Sequence, residues 1–242
     1  ISDSMVIYTS FEGKTNMNLT MQDNVRYGDS VKMSLERVSY DNTGKLQDIT
    51  DDSEYTVKIK NNKTGKFEDT DKYELANGVF IPKSIGMFQI TASNGGDKTQ
   101  KNINVGRAQL EIAAQDTEKS VNDSVRECED AVITGLKAWD TDIMPQRDRD
   151  YELGSDGVSG LLPGIYDIDV AYVKVGDQHS QVMNELEKNY IINLVKASYT
   201  LTGNVYTVTA RPANTHGTVS IKYQQPGNEN SDGLTVDSGT RL

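Results

Sequence analysis

Three short motifs recur in the same order along this chain. Gln22-Asp23 precedes Tyr27-Gly28-Asp29-Ser30-Val31, and Gln115-Asp116 precedes Val121-Asn122-Asp123-Ser124-Val125. Pro82 leads into Gly86-Met87-Phe88-Gln89-Ile90, and Pro163 leads into Gly164-Ile165-Tyr166-Asp167-Ile168. Ile103-Asn104-Val105-Gly106-Arg107-Ala108-Gln109 is echoed by Ile192-Asn193-Leu194-Val195-Lys196-Ala197-Ser198. The offsets are 94, 78 and 89 residues, so loop lengths differ between the copies. A repeat of this length exceeds a solenoid unit, which runs about 20 to 50 residues. It matches a self-contained β-sandwich of about 100 residues.

The local pattern agrees. Tyr55-Thr56-Val57-Lys58-Ile59-Lys60, Phe88–Ala92, Tyr166–Tyr172 and Val205–Ala210 alternate apolar and polar residues, as half-buried strands do. Tyr190–Val195 is a more continuous apolar run, suited to a strand covered on both faces. Between the runs lie Asp41–Gly44, Asn61–Gly65, Asn77-Gly78, Asn94–Asp97 and Gly227-Asn228. Asn and Gly tolerate positive φ, which tight hairpin turns require. Helical signals are few. Ser124–Lys137 suits about two helical turns, but Gly135 and the β-branched cluster oppose it. Met183–Lys188 suits one turn before the Tyr190 strand. The expected fold class is all-β, with tandem sandwich modules in an extended array. Module one covers 1–106, module two 107–197, and a partial third small β module 198–242. The third has strands at Tyr199–Ala210, Gly217–Tyr223 and Leu234–Asp237. The joints Val105–Ala108 and Val195–Ser198 are short and lack a Pro/Ser/Gly-rich tract, which limits hinge motion.

Charge narrows the partners. The 242 residues carry 25 Lys and Arg against 36 Asp and Glu, a formal charge of −11. Without a basic block, this argues against a nucleic-acid backbone or an anionic membrane as partner. There is no apolar stretch of spanning length and no basic, then apolar, leader at Ile1. The chain opens in a strand-like run without Met, and reads as a fragment of something longer. One cysteine forms neither a disulfide framework nor a Cys-based zinc site.

Several stretches resemble a known family. Gly164–Ile168, Asn189–Ile192 and Lys196–Thr202 are similar to the end of an MBG-type repeat and its passage into the next. Arg107–Ile112 with its Asp-rich turn, and the Tyr27-Gly28-Asp29 triplet, resemble the same group. Module two departs from the Tyr-Gly signature at Val121-Asn122. Thr207–Pro212 through His216–Val219 to Asp237–Thr240 is similar to the opening of another small bacterial surface repeat. The resemblance implies tandem bacterial Ig-like stalk modules, Ig-like or β-grasp-like, and brings no catalytic residues with it.

Candidate sites are sparse. Asp140, Asp142, Asp148, Asp150, Glu152 and Asp156 surround Trp139. Calcium takes six to eight oxygens in flexible geometry, so Asp140, Asp142, Asp148, Asp150 and Asp156 are the candidate calcium ligands. The EF-hand pattern is absent, and Arg147 and Arg149 offset the acids, so a solvated loop with local ion pairs is the favoured reading. Asp48, Asp51, Asp52 and Glu54 form a second acidic patch of the same kind. Asp167 and Asp169 alternate with apolar residues and are expected to point outward. His179 and His216 are expected at the surface. Trp139 suits core or edge packing. Cys128, flanked by Glu127, Glu129 and Asp130, suits a buried thiol rather than a thiolate. A Lys–Asn isopeptide crosslink remains open. Paired carboxylates across a cleft are not indicated.

The expected function is a non-catalytic stalk segment of a bacterial surface or secreted adhesin-like protein, extracellular and monomeric, with no cofactor, calcium being the one alternative left open. A glycan- or host-protein-binding module and an accessory region of a glycan-acting enzyme are the alternatives.

Overall fold

A computed structural model describes residues 17–38, 45–160 and 162–203, together with the backbone of strands at 207–212, 219–224 and 233–235. The Asp41–Gly44 and Gly227-Asn228 turns and His216 lie outside the described residues. The chain separates into two compact units. One is 1–110 with 135–143 and 184–191, and the other is 111–134, 144–183 and 192–242.

The first unit is a two-sheet sandwich. Its strands are β1 (Met17–Met21), β2 (Val25–Arg26), β3 (Val31–Val38), β4 (Leu46–Asp48) and β5 (Glu54–Lys60). They continue as β6 (Phe67–Asp69), β7 (Tyr73–Ala76), β8 (Val79–Pro82), β9 (Gly86–Asn94) and β10 (Asp97–Gly106). One sheet runs β1-β3-β8-β7, with β4 also on β3, and the other runs β2-β10-β9-β5-β6. All pairs are antiparallel except β2 with β10. In the strand letters of immunoglobulin domains this is A-B-E-D against A′-G-F-C-C′. Alternation places Met33, Leu35, Phe80, Phe88, Ile90 and Ile103 inside, all nearly fully buried. The turns follow their sequence. Asn77 (φ 51°) and Gly78 (φ 69°) join β7 to β8 as a two-residue loop with both φ positive.

The second unit contains β11 (Ala108–Ala113), which begins in the first, β12 (Thr117–Ser120), β13 (Val132–Thr134), β14 (Tyr151–Gly154) and β15 (Gly164–Tyr172). A small hairpin, β16 (Lys174–Val175) and β17 (Gln178–His179), precedes helix α2 (Gln181–Asn189). Then come β18 (Tyr190–Val195) and β19 (Ala197–Thr202); residues 184–191, most of α2 and the start of β18, belong to the first unit. A short helix, α1, covers Asp156–Ser159. One sheet runs β12-β19-β15-β14 and another β13-β11-β18. Strands β20 (Thr207–Pro212), β21 (Val219–Gln224) and β22 (Gly233–Thr235) form a separate antiparallel sheet.

The internal repeat is visible in the hydrogen-bond ladders. Val105 stands opposite Gly86 on one side and Val25, in parallel, on the other. Leu201 stands opposite Gly164 and, in parallel, Lys119. The next amide donates identically, Tyr27 N to Gly106 O at 2.8 Å and Val121 N to Thr202 O at 2.8 Å. The recurring aspartates close the same turn. Asp29 accepts from Arg26 N at 2.8 Å, and Asp123 accepts from Ser120 N at 2.7 Å. Two motifs are therefore true structural repeats. The third is not. The counterpart of Ile103–Val105 is Tyr199–Leu201, because β19 rather than β18 takes the place of β10. The likeness of Ile192-Asn193 to Ile103-Asn104 is confined to sequence. Lys196 turns between two strands inside the second unit.

Tyr166, near the start of β15, donates its hydroxyl to Leu162 O at 2.7 Å. A tyrosine at this corner of an immunoglobulin sandwich makes the same backward bond. Two residues on, where antibody domains carry a cysteine, stand Ile90 in the first unit and Ile168 in the second, both fully buried. Apolar packing fills the place of the inter-sheet disulfide.

Two local expectations change. Ser124–Lys137 is not helical; it is irregular apart from β13, and Gly135 sits at φ 89°. The expected strand Tyr199–Ala210 is two strands, of which Ala197–Thr202 pairs with β12 and β15. Met183–Lys188 does lie in a helix, capped by Ser180, whose hydroxyl accepts from Met183 N at 3.2 Å.

Candidate functional site

The densest polar cluster of the first unit joins residues far apart in sequence. The 3-10 turn Ala138–Ile143 carries Trp139 and Asp140. Trp139 Nε1–H donates to the Tyr27 hydroxyl at 2.7 Å. Tyr27 in turn donates to Asp140, its oxygen 2.9 Å from Oδ2 and 3.1 Å from Oδ1. Tyr190 donates to the same Oδ2 and accepts from Lys137 N–H at 3.0 Å. Each tyrosine hydroxyl thus donates its proton and accepts one hydrogen bond, so neither buried hydroxyl is left unpaired. The rings meet edge to face, Tyr27–Tyr190 at 5.3 Å and Tyr27–Trp139 at 6.1 Å. Lys83 Nζ lies 5.1 Å from the Trp139 ring centroid and pairs with Glu74. Burial, then the neighbouring Asp140, pushes the Tyr27 hydroxyl up to about 12, against the opposing donation from Trp139. Burial and Asp140 also push Tyr190 far up. Both phenols stay protonated donors at neutral pH. The cluster holds chain segments together through polar and aromatic contacts.

The proposed calcium ligands are dispersed. Asp140 is engaged by the two tyrosines, and Asp142 is exposed on the same turn. Asp148 is exposed at φ 63° beside Arg147. Asp150 is fully buried, its Oδ2 accepting from Gln146 N at 2.8 Å and from Arg149. Asp156 is exposed in the first turn of α1, which Ser155 caps. Among the described residues, no three His, Cys, Asp or Glu side chains gather as a metal site. Asp167 and Asp169 point outward, and Asp169 pairs with Lys196. In the second acidic patch, Asp48 accepts from Thr50 N at 2.9 Å and Thr50 Oγ1 at 2.6 Å. These bonds hold its carboxyl below the usual range.

Asp150 gives a pH-dependent prediction. Burial alone would raise its carboxyl, but Arg149, Ser180 and the Gln146 amide more than offset that and hold it below the ordinary value. A depressed folded value adds stability above the unfolded pKa of about 3.9, and that stability is lost as pH falls through the folded value. The Asp150→Asn variant should be less stable than the parent at about pH 6, and the gap should narrow below about pH 4. Urea midpoints across that range check it.

Cys128 is buried, and burial pushes its thiol up against a smaller opposing pull from Arg147. Arg147 donates to Cys128 O at 2.9 Å and pairs with Asp130. Trp139 is 37% exposed, an edge residue rather than a core one. His179 is half-buried and stacks on Tyr172 with centroids 4.3 Å apart. A groove of about 690 Å³ on the first sandwich is lined by Thr20, Lys32, Ser34, Asp48, Thr50 and Asn77 among others, with no aromatic ring for a sugar to stack on. Among the described residues, no helix is long and apolar enough to cross a membrane.

The tyrosine cluster was hidden in the sequence. Tyr27, Trp139, Asp140 and Tyr190 each stand out for other reasons, but no spacing rule links residues 113 positions apart. Only the fold brings them to one point.

The first unit, and the β12-β19-β15-β14 sheet of the second, use the strand pairing of immunoglobulin-like sandwiches, and the chain is an all-β protein of Ig-like modules. No protein-family model and no curated protein matches it. Among solved structures it is similar to a crystal structure of domains A168-A170 from titin. The identity is 11% and the TM-score 0.31, covering 88% of this chain and 76% of that one. It is also similar to the N-terminal eight Ig domains of Down Syndrome Cell Adhesion Molecule (DSCAM) isoform 1.30.30. There the identity is 9% and the TM-score 0.19, covering 89% of this chain and 33% of that one. The chain thus spans about a third of the DSCAM fragment.

Proposed function

We propose that this chain is a non-catalytic, load-bearing spacer in a bacterial surface or secreted adhesin-like protein, acting outside the cell as a monomer. One observation carries the reading: the parallel edge ladder that recurs in both units. β2 lies parallel to β10, and β12 lies parallel to β19. Tension that reaches the start of the earlier strand of such a pair and leaves at the end of the later one acts along both strands. The ladder bonds are then loaded in shear, all together, instead of being peeled one by one. β10 ends at Gly106 and β11 begins at Ala108, so Arg107 alone lies between strands. The MBG-like stretches at Gly164–Ile168 and Lys196–Thr202 support the bacterial part of the proposal. The net charge of −11 favours solubility of such modules.

Single-molecule pulling between the chain ends tests it. The first sandwich should unfold in one step, releasing about 300 Å of chain at roughly 3.5 Å per residue. The second should resist more strongly, since its ladder has four registered pairs against two. Unfolding at forces too low to resolve would overturn the spacer reading.

A further inference from the structure

We infer that residues 135–143 form a latch that opens while the β-core of the first unit stays folded, uncovering Tyr27 and Tyr190. The latch has no buried residue of its own. Its attachments are polar and aromatic: Asp140 on two tyrosine hydroxyls, Trp139 on Tyr27, and the Lys137 amide on Tyr190. Lys83 over Trp139, and Lys137 at 4.0 Å from Asp29, add to them. The core below is of a different kind. Among the described residues, fourteen buried side chains, including Phe80, Phe88 and Ile90, form one apolar cluster that includes none of these groups. Segments held by few apolar contacts open at lower free energy than the core. Tyr27 and Tyr190 are 2% and 1% exposed with the latch closed. Opening uncovers two adjoining phenol rings and their hydroxyls, and Asp140 is the one group that both hydroxyls hold. This inference does not depend on the spacer reading, since it concerns local stability within one unit.

The protein supplies its own probe, because Trp139 is the single tryptophan of the sequence. In the full chain, Asp140→Ala strands both hydroxyls, and Tyr27→Phe keeps the ring while removing the bonds to Trp139 and Asp140. Both variants should shift Trp139 emission to the red and increase its quenching by acrylamide. Amide exchange at Lys137 should accelerate by about ten- to a hundredfold. Exchange in β9 and β10 should stay within about twofold of the parent. Unchanged emission and exchange in both variants would overturn the latch. Loss of protection in β9 and β10 together with Lys137 would also overturn it, since the segment would then be part of one cooperative core. Tyr27→Phe keeps the test decisive if Asp140→Ala fails to fold.

Discussion

Replacing Phe88 with alanine is expected to lower the unfolding free energy of the first sandwich by about 3–5 kcal/mol. Phe88 is fully buried on β9, opposite Ile59 on one neighbouring strand and Ile103 on the other. Its ring meets Phe80 of the facing sheet edge-on, with centroids 5.6 Å apart. Truncation removes the transfer term and leaves a cavity that two sheets, each fixed by its ladder, cannot close. A domain of this size has about 5–15 kcal/mol of stability in total, so the loss is a large share. Met87 is the internal control. It is the preceding residue, on the other face, and 37% exposed. Met87→Ala should cost under about 1 kcal/mol. Equal losses in the two variants, measured by denaturant unfolding, would mean that β9 is not seated as described.

Gly135→Ala should be nearly as costly, for a backbone reason. Gly135 has φ 89°, and a Cβ there would lie 2.3 Å from the Gln109 carbonyl oxygen. The carbonyl belongs to β11, held by sheet pairing, so it cannot move aside as a flexible side chain would. Conformational strain and the clash together should cost about 2–5 kcal/mol. Gly65 separates the two effects. Its φ is 71°, yet nothing lies within 4 Å of the position of its Cβ. Gly65→Ala should therefore cost only about 1–2 kcal/mol, the conformational part alone. Thermal unfolding of the two variants side by side checks this. Similar losses would remove the clash from the explanation.

Gly135 also marks the limit of sequence reading. Within Ser124–Lys137 it signals a weak helix, and the segment is indeed not helical. Why a glycine is required there depends on a carbonyl 26 residues earlier in the chain, which no local pattern reports.

The period-two runs, the Asn-Gly turn and the two true repeat motifs were legible because they rest on local physics. Alternation decides which face is apolar, and Asn77-Gly78 satisfies the positive φ of its own hairpin. Asp29 and Asp123 close turns only four residues long. Such features need no distant partner, so the sequence by itself determined an all-β chain with a repeated module. Strand neighbours were decided elsewhere. Ile192-Asn193 looks like Ile103-Asn104, yet β18 and β10 occupy different places, because pairing depends on which edges are free once the core has formed. The meeting of Tyr27, Asp140 and Tyr190 was likewise set only by the tertiary structure. Hydrogen bonding acts over about 3 Å in space and is indifferent to separation along the chain.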